Sequence, residues 1–114
     1  MARIHAIMIE KRYLCSDLFR MRGTGGWKGW ANLEEIWSTG AVLDSETAIA
    51  VGQKLLLRKK PGKLWAAVSE CIEYEFGYRV ELKFLFDYVW TREVFEPDHL
   101  LDPTQIAKKE QYKT

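Results

Sequence analysis

Two cysteines, three prolines and two histidines in 114 residues leave few options for several kinds of chemistry. Small secreted domains that depend on disulfides carry four or more cysteines at framework spacing. Cys15 and Cys71 make no such framework and read as the buried thiols of a cytoplasmic domain. His5 and His99 lie near opposite ends of the chain, and neither has the context of a general base in a hydrolytic triad. The same four side chains lack the paired spacing of a zinc site, and no Gly-rich phosphate loop is present. No catalytic residue, metal or cofactor is therefore expected, and the chain does not read as an enzyme. Charge of one sign is also scarce. Seventeen basic residues against sixteen acidic ones give a net charge of +1, which argues against DNA or RNA as a partner, because a general nucleic-acid binder needs a strongly basic face. Long apolar runs are missing too. Met1 to Ile9 is interrupted by Arg3 and His5 and is too short to span a bilayer, so a soluble cytoplasmic protein without membrane insertion is expected.

What the sequence has is aromatic and strand-forming. Hydrophobic residues make up 47%, with five Trp, five Tyr and five Phe, enough for one folded domain with large side chains filling a β-rich core. Residues 1–9 fit a strand or a helix face equally well. Leu18 to Arg22 reads as a first strand with Phe19 and Met21 on one face and Arg20 and Arg22 on the other. Lys28 to Ile36 and Ala41 to Asp44 follow, then Gln53 to Lys59. The turn signal Lys60-Pro61-Gly62-Lys63 leads into Leu64 to Tyr74, with Leu64, Ala66, Val68 and Ile72 on one face. The clearest alternation is Tyr78, Val80, Leu82, Phe84 and Phe86 against Arg79, Glu81, Lys83 and Leu85, the mark of a half-buried antiparallel strand. Short strands joined by Gly and Pro turns predict a barrel or sandwich of about six strands.

Residues 87–114 differ in character. Trp90, Val94 and Phe95 predict one helical turn over 91–96. Asp102 as N-cap, Pro103 at the first helical position and Gln105 three residues after the cap predict a short helix over 103–112.

The stretch Leu33-Glu34-Glu35-Ile36-Trp37-Ser38-Thr39-Gly40-Ala41-Val42-Leu43 reads as strand, turn, strand, with Gly40 placed to take a positive φ. It resembles the Asp/Asn-x-Ser-x-x-Gly motif of the PilZ family. The family's other motif, Arg-x-x-x-Arg, matches Arg12 to Ser16 within the stretch Glu10-Lys11-Arg12-Tyr13-Leu14-Cys15-Ser16. The resemblance covers roughly residues 10–86. It implies a small antiparallel β-barrel over 10–86, which with the short helical tail read from residues 87–114 makes a single domain over 1–114.

The resemblance also implies a ligand, the bacterial messenger cyclic di-GMP, and a site at Lys11, Arg12, Ser16, Glu35, Trp37 and Gly40. Guanidinium pairs bidentately with phosphate and stacks on purines, a role that Arg12 keeps. Glu35 reaches a guanine edge from one methylene further out than the family's acid. Ser16 stands where the family has a second Arg, and Trp37 where it has Ser. The implied function is that of a non-enzymatic regulatory domain of cyclic di-GMP signalling with a protein partner, in which nucleotide binding is weak or lost. The alternative is a degenerate protein-interaction module with no nucleotide ligand. Trp37 itself reads first as a cap on the core, then as a stacking platform or a partner anchor.

Overall fold

The computed structural model describes residues 10–59 and 62–104. Six strands, β1 (Tyr13–Gly23), β2 (Lys28–Trp37), β3 (Gly40–Ser45), β4 (Lys54–Lys59), β5 (Gly62–Tyr74) and β6 (Gly77–Phe84), form a closed barrel in the order β1-β2-β3-β6-β5-β4. Every pairing is antiparallel. The chain thus makes two three-stranded meanders that join edge to edge, β3 against β6 and β1 against β4. Among the described residues every named regular element is a strand, and no helix is long and apolar enough to cross a membrane.

Period-two alternation places Phe19 and Met21 of β1, Ala31 and Leu33 of β2, Leu55 and Leu57 of β4, Leu64, Ala66 and Val68 of β5, and Val80, Leu82 and Phe84 of β6 in one interior cluster. The alternation fails where strands slip register. Between Val68 and Glu70 the β5–β6 pairing shifts by one residue. Beyond this bulge Cys71 packs against the core and Ile72 faces out at 45% exposure, although simple alternation placed Ile72 inside. Strand β6 stops at Phe84, two residues short of the expected end. Phe86 takes φ 59° and is exposed rather than continuing the apolar face. Gly62 opens β5 opposite Lys59.

The tail closes one end of the barrel. Trp90 is buried, donates its indole N–H to the Phe95 carbonyl at 3.0 Å, and meets the Tyr13 ring edge-on at 5.7 Å. Its backbone N–H donates to Ser38 O at 2.9 Å, fastening the tail to the β2–β3 turn. Instead of the expected helical turn over 91–96, one reverse turn forms, with Val94 N–H donating to Thr91 O at 3.0 Å. Further on, Leu14 and Leu101 exchange both backbone hydrogen bonds, at 2.9 and 2.7 Å, and Ser16 N–H reaches Asp98 O at 3.1 Å. The Asp102 carboxylate accepts from Thr104 N–H at 2.9 Å, as an N-cap does. The helix expected beyond it falls almost wholly on residues 105–112, outside those described.

Candidate functional site

The β2–β3 turn carries the corner to which the sequence motifs point, and two bulges shape it. Glu34 is an extra residue in β2 relative to β3, and Cys15 and Ser16 of β1 together oppose it across the β1–β2 pairing. The slip keeps Ile36 in the core and turns Glu35 and Trp37 to the outer wall. Trp37 is nevertheless buried, as is Val42 on the same wall, and both stand apart from the interior cluster.

Gly40 makes this burial possible. It pairs directly with Trp37, and a Cβ there would lie 2.3 Å from Leu82 O and 2.9 Å from Trp37 Cζ2. The expectation of a positive φ at Gly40 is therefore corrected: its φ lies outside the left-handed region. Glycine is required by the close approach of the neighbouring backbone and the indole, not by the turn's dihedrals.

Arg12 completes a stack on the outer wall. Its guanidinium carbon lies 3.7 Å from the Trp37 ring centroid, and its Nη1 is 3.3 Å from Glu35 Oε1. The other Glu35 oxygen faces Arg79 of β6 at 3.6 Å. Ser38 and Thr39 at the turn donate their hydroxyls to Glu10, at 2.8 and 2.9 Å, which straps the segment before β1 over the turn. Arg12, Glu35, Trp37 and Gly40 thus come together. Sequence reasoning did not single out Glu10, Ser38, Thr39 or Arg79. The alternation of β6 marks Arg79 as outward-facing, but only the strand order brings it beside β3 and the corner.

Two expected members stand elsewhere. Lys11 pairs with Asp102 of the tail at 2.6 Å and lies 5.3 Å from the Tyr13 ring centroid. The hydroxyl of Ser16 faces Asn32, whose amide donates to it at 3.3 Å. Beside it, Cys15 is largely buried, its thiol 3.5 Å from Leu33 O; burial, followed by the nearby carboxylate of Asp17, pushes the thiol up to about 12. The thiolate that a nucleophile requires is therefore scarce at neutral pH.

The chemistry available at the corner is recognition through a guanidinium and an indole face, and both are already engaged within the protein. No protein-family model, curated protein or solved structure matches this chain. The fold and the corner therefore rest on the geometry described above.

Proposed function

We propose that this barrel is a non-enzymatic regulatory domain of the PilZ type in which cyclic di-GMP binding is weak or lost and signalling runs through contacts with a protein partner. The supporting observation is the self-occupied corner. A phosphate that recruits Arg12 must displace Glu35, and a base that stacks on Trp37 must displace the Arg12 guanidinium from the same ring. An exposed cation–π contact is worth about 0.5–1 kcal/mol and a surface ion pair about 0.2–1 kcal/mol. Losing both lowers affinity by roughly three- to thirtyfold before any ligand contact is made. A second Arg at position 16 would not restore the site by itself, because Ser16 is turned to Asn32.

The test is calorimetric titration with cyclic di-GMP of the unmodified protein and of Glu35→Gln, which frees Arg12 and Arg79 from their shared carboxylate. Little or no heat from the unmodified protein and measurable binding by Glu35→Gln are expected, with Arg12→Gln abolishing the gain. Submicromolar binding by the unmodified protein would refute the proposal.

A further inference from the structure

The charges that nearly cancel over the whole chain do not cancel over its surface. The outer faces of β1, β2, β4 and β5 bring Arg20, Arg22, Lys28, Arg58 and Lys63 around a groove of about 500 Å³. Register sets them side by side: Arg20 opposes Arg58 across one seam, Arg22 opposes Lys28 across another, and Arg58 opposes Lys63 across a third. Like charges placed directly opposite are unfavourable in a sheet unless something else neutralises them. Among the described residues no Asp or Glu lines this groove. Among the described residues none of these five cations makes an ion pair; Lys59, the sixth cation of the groove, is held by Asp17 and Asp98.

Trp30 stands in the middle of this face, 55% exposed, opposite Arg20 in the β1–β2 register and with the Arg20 guanidinium 5.3 Å from its ring centroid. It is a wall shared with a second groove of about 830 Å³, where Leu18, Trp27 and Phe76 stand beside polar side chains that include Asp44 and Glu46; Phe76 is 80% exposed. One side of Trp30 is therefore cationic, and the other mixes aromatic rings with polar and acidic side chains.

We propose that this face binds single-stranded nucleic acid, with phosphates along the basic groove and bases stacked on Trp30 and in the second groove. A cationic track beside accessible aromatic rings is what an unpaired strand requires. A duplex buries its base faces and offers Trp30 nothing to stack on, and an acidic peptide matches the cations but has no flat ring system for the indole. The Arg12 corner takes no part, so this proposal stands or falls separately from the reading of that corner.

The experiment is fluorescence anisotropy with labelled oligo-dT and oligo-U of about twelve nucleotides, within the range one small barrel covers, using the whole chain. Binding is expected with a dissociation constant of about 100 μM or tighter at low salt. Its logarithm should vary with log salt at a slope between about 2 and 3.5, the upper figure corresponding to five phosphates at about 0.7 each. Trp30→Ala removes one stacked base and should weaken binding by roughly 5- to 150-fold. Arg20→Gln combined with Arg58→Gln should weaken it and lower the salt slope by about 1.4. Arg12→Gln should leave it unchanged. All these side chains are exposed, so the variants keep the core. Three results would overturn the proposal: no binding to either oligomer at low salt, equal binding of a duplex or of poly-glutamate, or binding unaffected by Trp30→Ala.

Discussion

Trp90 gives the sharpest test of how the barrel is closed. It is 3% exposed, donates to the Phe95 carbonyl and meets Tyr13 and Phe95 edge-on at 5.7 and 6.3 Å. A buried Trp removes about 150–250 Å² from water, which at about 25 cal/mol/Å² is about 4–6 kcal/mol. An unfolded chain already buries part of this area, and Ala keeps a little of it, so Trp90→Ala should cost about 3–5 kcal/mol. That is a large share of the roughly 5–15 kcal/mol by which a domain is stable. Trp90→Phe keeps most of the ring packing and loses the indole hydrogen bond, and should cost about 1–2 kcal/mol. Urea unfolding followed by far-ultraviolet circular dichroism measures both and is independent of the fluorophore removed. A loss below about 1 kcal/mol for Trp90→Ala would refute the reasoning and show that the tail does not hold the barrel's end. If the Ala variant does not fold, the Phe variant still gives a number to compare.

Three further outcomes follow from particular contacts. Gly40→Ala should cost about 3 kcal/mol in the same assay, because its Cβ would meet Leu82 O at 2.3 Å and backbone cannot yield as a side chain can. The tail should loosen in acid. Asp102 is held down to about 2 by hydrogen bonds from Lys11 and then Thr104, and Asp98 is lowered by its hydrogen bond from Lys59. A carboxylate with a depressed folded-state pKa contributes stability that is full above its unfolded value near 4 and disappears as pH falls toward 2. The near-ultraviolet signal of Trp90 should therefore change over that window, and Lys11→Met should flatten the Asp102 part of it. At the alkaline end, Tyr74 donates its hydroxyl to Asp44, and this bond chiefly pushes its ionisation up to about 12. Phenolate absorbance should show one tyrosine titrating late, and Asp44→Asn should bring it back toward 10.

Strand number and order of appearance were legible because alternation depends only on neighbouring residues. All six strands fall where apolar periodicity puts them, with ends displaced by a few residues and β1 extended back to Tyr13. Bulges were not legible. The slips at Cys15–Ser16, Glu34 and Ser69 arise from pairing between strands, and no local pattern distinguishes the extra residue from an ordinary one. Ile72 was misplaced for that reason, and Glu35 reaches Arg12 and Arg79 through the same effect. At the corner the sequence marked Arg12, Glu35, Trp37 and Gly40, but did not show that they contact one another or that Gly40 is needed for space. Of the basic face, alternation marked only Arg20 and Arg22; that Lys28, Arg58 and Lys63 stand beside them follows from strand order, and a net charge of +1 averages over all five.

The exchange of backbone hydrogen bonds between Leu14 and Leu101 has a consequence for behaviour at high concentration. Strand β1 is eleven residues long, yet β4 pairs only with Arg20 to Gly23. The first half of its free side would otherwise present open donors and acceptors to any neighbouring chain. The tail covers this side at two points, Leu14 and Ser16, without adding a seventh full strand. A chain cut after Phe86 would therefore be sticky as well as less stable. Its bared strand could accept the same strand of another copy, and the cut protein should self-associate with a concentration dependence that the whole protein lacks. Adding back a peptide spanning residues 96–104 should compete with that association by occupying the vacated side.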